Sequence, residues 1–423
     1  MRKINSNIKQ NICFFLLFTA VYLLWGTAVY YGQYVVEHYQ SVSIRMKGGT
    51  VSQRELMQMV EQEKENKNQE FAGISAWNQV ENQSLESDRL GTKAEVRLIE
   101  VYGVIEKVYP VELISGYTPA ADDAEGCLID EATAYKLFRT ADSVGNALVY
   151  KNKTFYVRGI LRCSEEVCLI IPGSEEKNYS NLELTFTDGD NRGQLAADLM
   201  RQYGSTGGYT LIDGYLIAKS LSLVYRLPAW LLGFILLYDL LAVLWKRRRI
   251  PLQVIALVLI IVCLWPLLFW MMEYEFYLPQ QLIPTKWSDF SFWSRKYAAF
   301  LEWKEAMAYI IPSYRDVLLK KDIRGCLLRI VAAATGMFVL VLHERRLFFK
   351  HRQSGSILLI ALLECAALSL LFAFGKMFII PRAYLGMPVF YMLVVGCFRW
   401  GEGWIRTLRS SHPWKDAAKF NRS

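Results

Sequence analysis

The chain has 423 residues, enough for two or three domains, and its 53% hydrophobic content is high for a soluble protein. The formal charge of +8 lies in short basic tracts beside apolar runs, whereas residues 32–226 are acidic. This distribution is typical of membrane topology and disfavours nucleic-acid binding.

The first predicted element is a membrane helix. Residues 12–31 form an apolar run that is long enough to cross a hydrocarbon core of about 30 Å. Arg2, Lys3 and Lys9 precede it, and no small-x-small cleavage site follows. We therefore predict an uncleaved signal anchor at residues 1–31, with a cleaved signal peptide as the alternative.

Strands and helices alternate without a fixed repeat over residues 32–226, which predicts a single α+β domain. Ser52 and Glu55 stand at capping-box spacing at the start of one helix. Residues 81–92 are expected to form a polar loop between two strands. The other predicted elements are strands at 41–46, 71–80, 94–102, 168–172, 182–186 and 209–212 and helices at 52–69 and 194–203.

The most informative stretch is residues 111–162, where a strand, an acidic loop, a second strand, a helix and a hairpin follow one another. Asp130 is placed to cap the helix. The apolar residues near helical spacing are Ala132, Tyr135, Leu137 and Phe138. The hairpin is expected to turn at residues 151–153.

This order of elements resembles the MacB-like periplasmic core domain of ABC-transporter permeases (FtsX/MacB-like). Tyr117 departs from the pattern, because the family usually has Arg after the glycine. The resemblance implies a permease subunit that works with a separate cytoplasmic ABC ATPase, as a homo- or hetero-dimer with another permease. The matching residues are Gly116, Asp123, Ile129, Ala134, Leu137, Phe138, Gly145, Phe155, Val157, Gly159 and Ile160.

Five further apolar runs predict a multi-pass protein with about six transmembrane helices. Basic residues cluster at 246–249, 343–352 and 399–422, so both termini are expected inside a bacterial cell membrane, with the α+β domain outside. The runs are 227–245, 252–272, 325–342, 356–374 and 383–398. The predicted parts are 1–31, the anchor; 32–226, the core domain; 227–272, helices two and three; 273–324, an outer segment; 325–400, helices four to six; and 401–423, a basic tail.

The outer segment 273–324 is rich in tyrosine and tryptophan, which favour the membrane–water boundary. Ser288 with Asp289 is placed to cap a helix over residues 290–311. The segment is interpreted as a helix lying on the outer leaflet. The alternative is a lid or docking surface for a lipidic or peptide ligand.

Motifs for chemistry are absent from the sequence. It contains no G-x-x-x-x-G-K-[ST], no H-E-x-x-H, no paired C-x-x-C and no G-x-S-x-G. We therefore expect no enzymatic activity, no cofactor and no metal.

Three sets of residues remain as candidate sites: two cysteines, two acidic residues within membrane runs, and the pair Phe348 and Phe349, which belongs to the membrane part. Cys163 and Cys168 bracket four residues between two predicted strands outside the membrane, so a hairpin disulfide and two free thiols are both open. Asp239 and Glu364 lie within membrane runs, where charge is costly. Asp239 is expected to reach the basic cluster at 246–249, and Glu364 to hydrogen-bond between helices, with a transport role as the alternative.

The membrane part departs from the family plan. Family permeases usually carry an ATPase-docking segment of the E-x-G-x-x-x-A-x-G sort between the second and third helices, where this chain has only residues 244–254. Either residues 343–353, with Phe348 and Phe349, or the C-terminal tail is expected to substitute for it, and the first is the better candidate. The alternative for residues 343–353 is contact with membrane lipids. The alternative function is a non-transporting membrane sensor or assembly protein.

Overall fold

The computed structural model describes the backbone of residues 2–66, 70–173, 177–187, 191–203, 208–271 and 290–350, with residues 382, 384, 386, 391 and 393–397. Side chains are described in these ranges except at 2–11, 247, 271, 344 and 346–350. The chain forms two compact units. The helical unit comprises Met1–Val35, Ser220–Phe276 and Lys321–Ser423, and the α+β domain comprises Val36–Lys219 and Tyr277–Lys320.

The described elements alternate between strands and short helices in the middle of the chain and are long helices elsewhere. In chain order they are α1 (Arg2–His38), β1 (Val42–Met46), β2 (Val51–Ser52), α2 (Gln53–Glu65), β3 (Phe71–Ser87), β4 (Lys93–Tyr102), α3 (Ile105–Val108), β5 (Leu113–Gly116), β6 (Gly126–Asp130), α4 (Glu131–Phe138), β7 (Ala147–Tyr150), β8 (Lys153–Leu161), β9 (Val167–Ile170), β10 (Asn178–Tyr179), β11 (Asn181–Phe186), α5 (Arg192–Tyr203), β12 (Tyr209–Asp213), α6 (Gly214–Val224), α7 (Leu227–Arg247), α8 (Pro251–Met271), α9 (Phe292–Ala308) and α10 (Tyr314–Lys350).

The α+β domain is built on one mixed sheet with the strand order β12-β1-β11-β3-β4-β9-β6-β8-β5. β7 pairs with both β8 and β3, so β3, β4, β9, β6, β8 and β7 close a ring. The ring encloses one apolar core, which includes Leu85, Leu137 and Phe155. A second core, around Ile44 and Leu184, lies on one face of β12-β1-β11-β3 beneath α2 and α5. The long strand β3 therefore joins two lobes.

The predictions that rest on local chemistry are confirmed. Ser52 and Glu55 form the capping box of α2. The Asp130 carboxylate accepts a hydrogen bond from the Thr133 backbone N–H and caps α4. The β7–β8 hairpin turns at Lys151 and Asn152, which both have positive φ.

Two local predictions are wrong because they depend on tertiary contacts. Residues 81–87 are strand rather than loop, since β3 continues beyond a bulge to pair with β4 and β7, and Leu85 is buried in the ring. On α4 the buried residues are Thr133, Ala134 and Leu137, whereas Tyr135 is exposed.

Within the described residues, four helices are long and apolar enough to cross a membrane: Ile12–His38, Leu227–Lys246, Pro251–Trp270 and Tyr314–His343. The fifth predicted run, 356–374, lies outside the described residues, and so does most of the sixth, 383–398. The count of six therefore remains a prediction. α10 continues to Lys350, so the predicted inner connection 343–353 is helical over its described part.

Candidate functional site

The face of β12-β1-β11-β3 opposite the second core is polar. Side chains alternate along β1, where Val42 and Ile44 enter the core and Ser43 and Arg45 point the other way. In an antiparallel sheet such a face is commonly open to water. Here it is covered, because Arg45 retains 3% of its exposure and Glu183 on β11 retains 1%.

Glu183 is the centre of a buried ionic cluster on this face. Its Oε1 atom accepts a hydrogen bond from Ser43 Oγ at 2.7 Å and lies 3.5 Å from Arg45 Nη1. Its Oε2 atom accepts from Ser41 Oγ at 2.8 Å and from Arg315 Nη1 at 2.9 Å. Both carboxylate oxygens are thus partnered.

The start of α10 supplies the rest of the cluster. Arg45 Nη2 donates to Asp316 Oδ1 at 3.1 Å and Oδ2 at 3.2 Å. Arg315 Nη1 donates to the backbone oxygen of Lys107 at 2.5 Å, and Nη2 donates to that of His38 at 3.3 Å. Because His38 is the last residue of α1, one guanidinium group connects the end of α1 with the first turn of α10.

A capping box fixes this first turn. The Ser313 backbone N–H donates to Asp316 Oδ2 at 2.9 Å, and the Asp316 backbone N–H donates to Ser313 Oγ at 3.2 Å. The ring of Tyr314 stacks on Tyr109 with centroids 5.1 Å apart. The orientation of Arg315 and Asp316 is therefore set by local hydrogen bonds and by packing.

Aromatic rings complete the surroundings of the two guanidinium groups. Arg45 lies 4.5 Å from the centroid of the Trp77 ring, and Arg315 lies 5.2 Å from that of Tyr39. Trp77 Nε1 also donates to Glu183 Oε1 at 3.5 Å. Rings placed in this way stabilise cations that have lost their hydration.

The cluster holds two positive and two negative side chains, Arg45 and Arg315 against Glu183 and Asp316. A buried ion pair gives little net stability relative to an apolar substitute, but removal of one partner leaves an uncompensated charge. Moving the charged groups of the cluster apart is therefore energetically costly, and the cluster is stable in one geometry. It joins α10 to β1 and β11 as a rigid connection within the α+β domain.

The cluster carries no group placed for acid–base or nucleophilic chemistry. Among the described residues, no set of three or more His, Cys, Asp and Glu side chains is placed to hold a metal ion.

Of the two alternatives that the sequence leaves open for Cys163 and Cys168, the structure has free thiols, and the hairpin that a disulfide would close is not formed. β8 and β9 both pair with β6 rather than with each other. Cys168 lies inside the ring core and Cys163 packs against a different cluster, and both are free thiols. Contact with Cys127 together with burial raises the pKa of the Cys168 thiol, and burial raises that of Cys163.

Asp239 has a partner that the sequence analysis did not name. Within the helical unit its Oδ2 atom accepts a hydrogen bond from Arg345 Nη2 on α10 at 2.6 Å. A direct ion pair between two helices satisfies the carboxylate without requiring it to reach water. Glu364, Ser288 and Asp289 lie outside the described residues, and Phe348 and Phe349 are described by backbone alone.

The sequence reasoning missed the residues of the cluster. The available signals were the S-x-x-D spacing of Ser313 and Asp316 and the polar alternation of Ser41, Ser43 and Arg45. Neither signal indicates that the two segments meet, because they are more than 250 positions apart in sequence.

No protein-family model matches the chain, and no curated protein matches it. Among solved structures, it is similar to the periplasmic region of MacB from Actinobacillus actinomycetemcomitans, with a TM-score of 0.35, 11% identity, and coverage of 43% of this chain and 92% of that chain. For the extracellular domain of the noncanonic ABC-type transporter YknZ from Gram-positive bacteria, the TM-score is 0.32 and the identity 12%, with coverage of 41% of this chain and 100% of that chain. For a domain described as that of a permease protein from Porphyromonas gingivalis, the TM-score is 0.30 and the identity 14%, with coverage of 42% of this chain and 91% of that chain.

TM-scores and identities this low transfer no residue role to this chain.

Proposed function

We propose that the chain is the membrane subunit of an ABC-type export or mechanotransmission system, working with a separate cytoplasmic ATPase. The resemblance of residues 111–162 and the insertion of the α+β domain between candidate membrane helices support this proposal. The observation that carries it is the ionic cluster. It ties the last residue of α1 and the first turn of α10 to the same sheet, and both helices are candidate membrane spans.

The mechanism follows from helix rigidity. α10 is one helix of 37 residues, about 55 Å long at 1.5 Å per residue. A displacement of its inner half reaches Arg315 and Asp316 without passing through a flexible joint. Because the cluster penalises separation of its charges, β1 and β11 must follow α10. ATP hydrolysis by the partner subunit would thus move the α+β domain, with a second permease and membrane lipids as further partners.

A second candidate function is a non-transporting sensor or assembly protein. The short connection between α7 and α8 favours it, since α7 ends at Arg247 and α8 begins at Pro251. This connection is too short to hold the ATPase-docking segment that family permeases carry between these helices. Co-purification of an ATPase separates the two functions.

The ATPase prediction is tested by affinity purification from native membranes and identification of co-purified ATPases. We expect the combined change Phe348→Ala and Phe349→Ala to lower ATPase recovery by at least about tenfold, because aromatic anchors dominate interface energies. Phe338→Ala on the same helix, at an exposed position, is the matched control and should retain the partner.

Recovery of the ATPase at wild-type yield by the double variant would exclude this docking element. Absence of any ATPase from the wild-type preparation would favour the sensor or assembly function instead.

Topology gives a separate prediction. On a cysteine-free background, Lys93→Cys in the α+β domain should react with a membrane-impermeant maleimide added to intact cells, and Lys350→Cys should react only after lysis. The basic tracts around 246–249 and 343–352 are the reason to place position 350 inside. Labelling of Lys350→Cys in intact cells would contradict the six-helix topology.

A further inference from the structure

A cavity of about 640 Å³ lies at the edge of the α+β domain, between the last strand of the sheet, β12, and helix α9. One face of α5 and the first turn of α6 form its other walls. Its volume falls within the range of about 300–1,000 Å³ that is usual for ligand sites. We call it the α6–α9 groove. Its apolar lining residues are Ala197, Leu211, Leu216, Ile217, Phe300 and Trp303.

The charged groups of the groove already have partners. Among the described residues, the lining carries one positive and one negative side chain, Arg201 and Asp213. Asp213 Oδ1 accepts a hydrogen bond from the Leu216 backbone N–H at 2.9 Å, and Arg201 Nη1 donates to Asp198 Oδ1 at 3.0 Å. Burial raises the pKa of the Asp213 carboxyl above its usual value, which indicates poorly hydrated surroundings. Neither charge is therefore left to select an ionic ligand.

The wall that α9 supplies is apolar and accessible. Trp303 Nε1 donates to the Leu211 backbone oxygen at 2.9 Å, which holds α9 against β12 and satisfies the one donor of the indole ring. Phe300 is 53% exposed and Leu216 is 38% exposed, so a ligand can reach both side chains from outside. The groove thus offers open apolar surface on two facing helices.

An exposed aromatic stripe on α9 leads to the groove. Trp293, Tyr297 and Phe300 follow one another at spacings of four and three residues, so their rings share one side of the helix. Glu302 lies on the opposite side, and no side chain of Phe292–Ala308 is buried. An apolar stripe that contains tryptophan and tyrosine is typical of helices at the membrane–water boundary.

Helix α6 leads from the groove to a candidate membrane span. Leu216 and Ile217 lie in its first turn, and the span of α7 begins at Leu227, ten residues after Ile217. Ten residues of helix cover about 15 Å. One lipid occupies half of a bilayer that is about 40–45 Å thick, so it is about 20 Å long. The chain distance from the span to the groove is therefore shorter than one lipid.

The polar groups of the lining favour an alkyl chain over a peptide. A peptide would bring backbone N–H and C=O groups that need hydrogen-bond partners. Most polar side chains of the lining are already paired, namely Arg201, Asp213 and Trp303. An alkyl chain needs no such partner and gains stability from the apolar area that it removes from water.

We propose that the α6–α9 groove binds one alkyl chain of a membrane phospholipid, packed against Leu216, Ile217 and Phe300. The headgroup stays outside the groove, because no unpaired charge of the described lining receives it. All lining residues belong to the α+β domain. The proposal goes beyond the proposed function and does not depend on a partner ATPase.

The test uses the full chain, as single copies in lipid nanodiscs. Two phosphatidylcholine probes are compared, one with a diazirine at the end of an acyl chain and one with a diazirine on the headgroup. After irradiation and trypsin digestion, lipid-modified peptides are quantified by mass spectrometry. Peptides 202–219 and 297–304 contain the α6 and α9 walls of the groove. We expect the acyl-chain probe to modify both peptides several-fold more than the headgroup probe does.

Two variants address the groove itself. Ala197→Trp fills it and should lower the yield of modification by at least about tenfold, since each methylene kept out of the groove weakens binding about fourfold. Leu216→Asn, at a partly exposed position, replaces an apolar contact with an amide and should lower the yield between about two- and tenfold. Ala121→Trp is the matched control, at an exposed position outside the groove, and should retain the wild-type yield. Thermal midpoints check that the domain remains folded.

Three results would overturn the proposal. The first is no modification of either peptide by the acyl-chain probe, which would leave the groove to a protein or peptide occupant. The second is equal or stronger modification by the headgroup probe. The third is wild-type modification of Leu216→Asn or of a folded Ala197→Trp protein, which would mean that lipid contacts only the outer side of α9.

Discussion

Glu183→Ala is expected to lower the free energy of unfolding of the α+β domain by about 3–5 kcal/mol, because it leaves two buried guanidinium groups without their shared carboxylate. Arg45 and Arg315 both pair with Glu183, and Ser41 and Ser43 donate to it. For a domain of this size the change corresponds to a drop of about 6–20 °C in thermal midpoint. The measurement is thermal unfolding of the full chain in nanodiscs, with protease cleavage of the α+β domain as the readout of unfolding.

Glu112→Ala is the matched control for this change. Glu112 pairs with Arg162 at 3.2 Å, but both side chains are about two-thirds exposed. An exposed pair contributes less than about 1 kcal/mol, so this variant should unfold near the wild-type midpoint. Equal midpoints for the two variants would mean that the cluster does not hold α10 to the sheet.

The elements that sequence predicted correctly are those fixed within a few residues. The capping box of Ser52 with Glu55 and the Asp130 cap depend on side chains that reach their own helix. The hairpin at Lys151 and Asn152 depends on two residues in left-handed conformation. Each of these features is caused by residues within the same short segment, so it can be predicted without knowledge of any distant contact.

The failed predictions depend on pairings between distant strands. Polar composition indicated a loop at residues 81–92, but β3 continues because β7 pairs with Glu86 and Ser87. Likewise, Cys163 and Cys168 are close in sequence, but β6 lies between β8, which precedes Cys163, and β9, which contains Cys168. Neither of these strand pairings can be predicted from local composition.

The ionic cluster was missed for a related reason. Ser41, Ser43 and Arg45 have the pattern of a solvated sheet face, yet they are buried, and Arg315 and Asp316 contact them from α10. The aromatic residues of the outer segment 273–324 indicate an interfacial helix. The described part of this segment also supplies Arg315 and Asp316, which complete the cluster.

The second large effect is expected at Gly116, at the end of β5. Its φ is +83°, and an added Cβ atom would lie 2.1 Å from Arg158 O and 2.7 Å from Gly159 Cα. These contacts arise where β5 shifts register against β8 and the two backbones approach closely. The neighbouring backbone must move to accept even one methyl group.

Gly116→Ala should therefore lower the free energy of unfolding by more than about 3 kcal/mol, through backbone strain and displacement of β8. Gly145→Ala is the matched control, because its φ is +86° but its added Cβ atom would meet no atom within 4 Å. The control bears only the cost of a left-handed conformation, about 1–2 kcal/mol. Thermal midpoints of the full-length variants in nanodiscs measure the difference, and equal shifts would show that the close approach of β5 to β8 contributes nothing.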